Sequence, residues 1–281
     1  MSEPTRRSAT RAEERAAGEQ DLDQKALDQE GLDQQALPAS VAAAWGVRDR
    51  PHKGPKPGLS LERIVAAAVQ VADAEGLAAV SMSRVAAELG TAPMSLYRYV
   101  TAKDELLALM LDAAYGPYPT EPPLETVPDA GWRAGLSRWA WAMRAAMQRH
   151  PWVLHIPIRG LPTLPNEVAW FEEGLRSLQD TGLEENEKAS AILLVSGYVR
   201  NAAMIDADIE AAVRASGKTP DEWMASYART LTVLADPRRF PALTKFIAAG
   251  VFDRADPPEA EFTFGLDRIL DGLAALIRAR R

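Results

Sequence analysis

From Ser60 onward the apolar residues recur at helical spacing, and that periodicity limits the folds open to the chain. Ile64, Val65, Ala68, Val71 and Ala72 follow the i, i+3, i+4, i+7 rule behind Ser60, a good N-cap, and Gly76 closes the segment. Ser81 opens a second helix with Val85, Ala86 and Leu89 inward, stopped by Gly90. Pro93 opens a third over 93–100, at a first-turn position where proline is tolerated. Lys103 and Asp104 open a fourth, with Leu106, Leu107, Met110 and Leu111 on one stripe, and Pro117, Pro119, Pro122 and Pro123 end it. Longer helices are predicted over about 132–149, 164–181, 184–214 and 220–234, a shorter one over 240–250, and a last one over 261–280. No alternating strand of useful length interrupts them, so the expected fold class is all-α.

The first 58 residues read differently. Leucines at 22, 27, 32 and 37 mark an imperfect five-residue repeat, LDQKA, LDQEG, LDQQA. A period of five turns about 140° per step around a helix, so these leucines share no helical face; a strand would alternate them. A disordered tail is expected over 1–58, or a segment that folds on a partner. RPHKGPKPG, residues 50–58, makes a basic arm of Arg50, Lys53 and Lys56, either solvated or touching phosphate or minor groove. The chain is then expected to divide into this tail, a smaller helical domain over 59–104 and a larger helical domain over 105–281.

Charge supports that division. The 281 residues carry a formal net charge of -7. Residues 1–47 contribute -4 and residues 48–103 contribute +3, so a basic segment lies between two acidic ones. The absence of cysteine excludes disulfides, thiolate metal sites and a cysteine nucleophile. The longest apolar candidate, Ala189 to Val199, has 11 residues, short of the roughly 18 a membrane span needs. The N-terminus has no apolar h-region and is acidic, unlike a secretory or transit peptide. A cytoplasmic protein with no membrane partner is expected. No phosphate loop, nucleophile elbow or metal-ligand spacing is present, and His150 and His155 lack partners at useful spacing, so neither an enzyme nor a metal or other cofactor is expected.

Ser81 to Lys103, SMSRVAAELGTAPMSLYRYVTAK, reads as helix, three-residue turn, helix. Ala86 and Ala87 permit close helix approach, and Gly90 permits a sharp turn. Leu96 and Val100, four apart, pack back; Pro93, Met94 and Tyr97 fall on the opposite face. This is the layout of a helix-turn-helix whose second helix enters a major groove.

Leu89-Gly90, Leu96-Tyr97-Arg98-Tyr99-Val100, Lys103 and Leu106-Leu107 together resemble the tetracycline-repressor (TetR) family of transcriptional regulators, strongly over about 50 residues. The resemblance implies that Ser95, Tyr97 and Tyr99 meet phosphate or base edges, and that Ser81 and Lys103 hold phosphate at helix N-termini. Pro93 and Met94 take positions that face bases, where they offer only apolar contact. Ser83 stands where the tetracycline repressor uses an arginine, so the operator sequence does not transfer.

Residues 128–281 resemble the tetracycline-repressor-like C-terminal domain in order and flavour. That implies homodimerisation through the 184–214 and 261–280 helices and a small-molecule effector; a protein partner for this domain is the alternative. Five of the seven tryptophans fall between Trp132 and Trp170. Trp139, Met143 and Met147 form one stripe, and Asn166, Trp170 and Gly174 another. Such stripes are either plain core or a ligand box. With His155, Ser196, Arg200 and Asn201 they make the candidate effector site. The expected function is a dimeric repressor on a near-palindromic double-stranded DNA operator, released by a small molecule.

Overall fold

The computed structural model describes Leu37 and residues 39–47, 58–119, 131–158, 160–252 and 259–280. Lys53 and Lys56 of the expected arm lie outside these residues, as does most of the expected tail. Among the described residues the fold is helical throughout, without a strand.

The first element corrects the expectation of a disordered tail across 1–58. Residues Ala39–Ala44 form a short helix, α1, with Ser40 and Ala42 buried. Alanine has the highest helix propensity, and small side chains let this segment lie close against the rest of the molecule.

The DNA-binding unit follows. Helix α2, Leu61–Glu75, starts where the Ser60 hydroxyl accepts the amide of Arg63 at 3.3 Å. Helix α3, Met82–Glu88, starts the same way, with Ser81 accepting the amide of Arg84 at 3.1 Å. Gly90 adopts a φ of 62°, a left-handed conformation open to glycine at low cost, and this turns the chain into α4, Pro93–Leu96. Helix α5, Lys103–Tyr115, packs Leu106 and Met110 onto the buried face of α2. Ile64, Ala68, Val80, Val85, Leu96 and Val100 close this core.

Helix α4 is shorter than the 93–100 expected from the sequence. After Leu96 the chain tightens, with the Tyr99 amide donating to Leu96 O at 2.8 Å, an i to i+3 bond.

The regulatory unit is built from α6, Trp132–Arg149; α7, Pro165–Ser177; α8, Glu185–Ser216; α9, Pro220–Leu234; α10, Pro241–Ala248; and α11, Ala260–Arg280. Short 3-10 turns cover Pro151–His155 and Gln179–Thr181, so the 164–181 prediction divides into a helix and a turn. Its core joins Leu136, Trp139 and Met143 of α6 to Ile192, Val195 and Val199 of α8 and to Phe262, Leu266 and Leu270 of α11. Gly174 allows α7 to press on that core. A Cβ there would meet Ile192 Cδ1 at 2.8 Å and the Trp139 ring at 3.2 Å. Helix α5 touches α2, α6 and α7, so it packs against both units. No residue of α9 or α10 is buried.

Candidate nucleic-acid interface and regulatory junction

The two faces of the second helix-turn-helix helix have opposite environments. Leu96 and Val100 are fully buried, whereas Met94 is 74% and Tyr97 44% exposed. Pro93 is exposed beside them, and Ser95 is half-buried. The apolar ring of Tyr97 and side chain of Met94 therefore remain in solvent because Leu96 and Val100 have claimed the core side. Ser81 and Ser83 are exposed on α3, and Lys103 is exposed at the start of α5. The Ser81 oxygen is already an N-cap acceptor, but its hydroxyl proton remains a donor.

Tyr99 departs from the expected set. Its hydroxyl donates to Leu59 O at 3.0 Å and its half-buried ring packs on the core. It fastens the end of the helix-turn-helix to the residue just before the Ser60 cap of α2. Arg98, which the family pattern did not single out, is exposed next to Tyr97 and has no ion pair among the described residues. Its position between two tyrosines is the signal that sequence reasoning passed over. Arg84 is not available in the same way, because Glu75 and Glu88 hold it at 2.6 and 2.9 Å.

The expected effector residues divide among buried, half-buried and exposed positions. Trp139, Met143, Met147 and Trp170 are buried, and their stripe is packed core. The Trp139 indole donates to Trp170 O at 2.7 Å, and the Trp170 indole to Gly116 O at 2.9 Å. Arg200 is committed to the Pro151–His155 turn, bonding Val153 O, Leu154 O and Ile156 O. The half-buried Ser196 hydroxyl donates back to Leu193 O within its own helix. His155 and Asn201 face solvent. In solvent these polar side chains avoid the cost of burial without a hydrogen-bond partner. An open cleft of about 500 Å³ lies elsewhere, between α9 and α10, lined by Ala228, Arg229, Thr232 and Ile247 among others.

Asn166 proves to be part of a junction. Its amide donates to Asp112 O at 3.1 Å and Asp112 Oδ2 at 3.0 Å. Asp112 Oδ1 accepts the Glu167 amide at 2.9 Å. Leu164, at the N-cap of α7, has no capping side chain, so a carboxylate from α5 caps α7 instead. Burial pushes the Asp112 carboxyl above its ordinary range, opposed by these hydrogen bonds. Glu167 is pushed up to about 7, first by burial and then by the charge of Asp112, against a backbone hydrogen bond from Leu164. Burial pushes the nearby Tyr115 hydroxyl up to about 12. Trp170 lies between Tyr115 and Tyr118, with ring centroids 5.7 and 4.9 Å away.

Among the described residues no group of three or more His, Asp or Glu side chains is placed to hold a metal ion. No described helix is long and apolar enough to cross a membrane.

A buried-backed helix offering Tyr97 and Met94 to solvent, with a helical second unit joined through α5, defines a helix-turn-helix DNA-binding regulator. Residues 64–110 match the family described as bacterial regulatory proteins, tetR family, and residues 124–277 match the tetracyclin repressor-like, C-terminal domain. The chain is 44% identical over 242 residues to the HTH-type transcriptional repressor DrrR1 of Streptomyces coeruleorubidus, covering 84% of this chain and 85% of that one. It is 27% identical to the HTH-type transcriptional repressor Rv1353c of Mycobacterium tuberculosis, covering 83% and 85%. The structure of apo ActR from Streptomyces coelicolor superposes with a TM-score of 0.66 at 26% identity, covering 81% of this chain and 100% of that one. ActR in complex with actinorhodin superposes with a TM-score of 0.64 at 28% identity, covering 80% and 99%. This chain belongs to the tetracycline-repressor family of transcriptional regulators.

Proposed function

We propose that the protein is a dimeric repressor that seats one recognition helix per protomer in successive major grooves and leaves its operator when a small molecule binds the regulatory domain. The observation that carries the DNA reading is the exposure of Met94 and Tyr97 on a helix whose other face is fully buried. Pro93, Met94, Ser95 and Tyr97 meet the groove, with Ser81, Ser83, Arg98 and Lys103 on its phosphate walls.

Dimerisation is supported by apolar residues left in solvent on two helices that pack together. Leu193 is 71% and Leu194 52% exposed on α8, and Phe264 is 63% exposed on α11. Such a patch on a soluble protein marks an interface. Two recognition helices related by a twofold axis then read half-sites about one helical turn apart.

The effector reading draws on the ActR complex with actinorhodin and on the shared C-terminal family. The effector acts through differential affinity for two arrangements of α5, because α5 packs against helices of both units. Asn166, Trp170 and the Asp112–Glu167 contact lie where such a shift is transmitted. A protein partner for the regulatory domain is the second reading, favoured by Val233 at 84% and Leu234 at 66% exposure near the end of α9.

Selection from a random DNA pool tests the proposal. Enrichment of a near-palindrome with half-sites one turn apart is the expected result. Enrichment of a single asymmetric site, or of nothing, contradicts it. A thermal-shift screen against small molecules then separates the two readings of the regulatory domain, since a ligand for the folded state raises the midpoint.

A further inference from the structure

Helix α1 precedes the DNA-binding unit in sequence, yet it makes contacts with both units. At one end Ser40, 3% exposed, hydrogen-bonds the Glu105 carboxylate through its hydroxyl and its backbone. Glu105 lies in the first turn of α5 and also accepts the amide and hydroxyl of Thr101, the latter at 2.7 Å. Burial pulls the Glu105 carboxyl upward, but the bonds from Ser40 and Thr101 outweigh it and hold the group below its ordinary range. At the other end the Trp45 indole N–H donates to Thr163 O at 2.8 Å, just before α7 of the regulatory unit. Between these ends Ala42 is buried, and Val41 and Ala44 pack on the core.

These two anchors fall on the two elements that the Asp112–Glu167 contact already joins, α5 and the start of α7. The Asp112 contact holds the C-terminal half of α5 to α7. The α1 contacts hold the N-terminal end of α5 to the segment that leads into α7. A change in the angle between the DNA-binding unit and the regulatory unit must move one α1 anchor against the other. Ser40 lies in α1 and Trp45 directly follows its last residue, tied back by its amide to Val41 O at 3.0 Å, so the short segment between the anchors has little slack to take up that movement.

We propose that α1 is an interdomain clasp, tying the start of α5 to the approach to α7 and biasing how the DNA-binding unit is held. The clasp deepens the repressor reading and rests on it only for its DNA readout. Its anchors are two sets of hydrogen bonds with small apolar contacts between them, and Trp45 is 47% exposed, so the clasp is one that can open.

The test uses the full chain with Ser40→Ala, Trp45→Ala and Trp45→Phe. Trp45→Phe keeps a ring but removes the N–H donor. Hydrogen exchange is followed in the DNA-free protein over 101–107 and 161–167. Affinity is measured for DNA that wild-type protein enriches from a random pool. A clasp couples its ends: Ser40→Ala speeds exchange over 161–167, and Trp45→Ala speeds it over 101–107, each by about threefold or more. Both variants move DNA affinity in the same direction by about threefold or more, with an unchanged salt slope. Trp45→Phe falls between wild type and Trp45→Ala. Exchange that changes only at the substituted end overturns the proposal. So does unchanged DNA affinity, which leaves a static tie, and so does an altered salt slope, which makes the segment a direct phosphate contact. If wild type enriches no DNA, the repressor reading fails while the exchange measurement still decides whether the ends are coupled.

Discussion

Asp112 of α5 caps helix α7 by accepting the amide of Glu167 at 2.9 Å, across 55 residues of sequence. The bond joins the helix shared by both units to the regulatory core, at a helix end with no capping side chain of its own. Asp112→Ala leaves that amide without its acceptor in a mostly buried place and removes one of the two acceptors of the Asn166 side chain, which keeps Asp112 O. It is expected to cost about 1–3 kcal/mol of stability. Asp112→Asn keeps one acceptor and costs less. Urea unfolding of the three proteins checks the ranking, and equal midpoints would show that the cap contributes nothing.

Glu167 makes the same junction pH-dependent. A carboxyl with a higher pKa in the folded chain favours folding while it is protonated. Its stabilisation is complete below 4.5, the ordinary value, and is lost as pH rises through about 7. Glu167→Gln has no proton to lose, so it is expected to outlast wild type above pH 7, with the gap closing toward pH 5. Thermal midpoints of the pair across pH 5 to 8 measure this. A gap that does not vary with pH contradicts it.

Leu193 and Phe264 lie exposed on adjacent helices of the expected dimer face. Leu193→Glu and Phe264→Glu place charges there without touching the buried core. Both are expected to give a folded monomer by sedimentation and circular dichroism, with DNA affinity reduced by at least about 100-fold through loss of the second half-site. A variant that remains dimeric would move the interface elsewhere.

Lys103 is exposed at the first position of α5, where a phosphate contact adds charge neutralisation but no base reading. Lys103→Ala is expected to weaken binding to all DNA sequences alike and to lower the magnitude of the log–log salt slope by about 1. An unchanged slope would remove Lys103 from the interface.

The helices were legible because their boundaries are chemical and local. Ser60, Ser81, Gly76 and Gly90 act within a few residues of the segments they start or stop. The exposed face of the recognition helix was legible for the same reason, since placing Leu96 and Val100 inward leaves Met94 and Tyr97 outward. The inward turn of Tyr99 was not legible because it depends on Leu59 O, 40 residues away. Whether the effector stripes are core or a ligand box was not legible, for a related reason. Helical spacing puts Trp139, Met143 and Met147 on one stripe, but only the neighbouring helices decide whether a stripe is filled or hollow. Gly174 lets α7 fill it. Helix α1 was hidden inside a segment whose repeat and prolines dominate its composition, although the run ASVAAAW carries a helical signal of its own. The Asp112–Glu167 contact has no sequence signature, because one helix supplies the cap of another.

Salt-titrated gel shift with DNA from just upstream of the protein's own gene, using wild type beside Tyr97→Ala, tests the DNA-binding role most directly. Tight, salt-sensitive binding by wild type, lost in Tyr97→Ala while thermal stability is kept, is the predicted result. Equal binding by both proteins would contradict it, because the exposed face of α4 would then not be the surface that reads DNA.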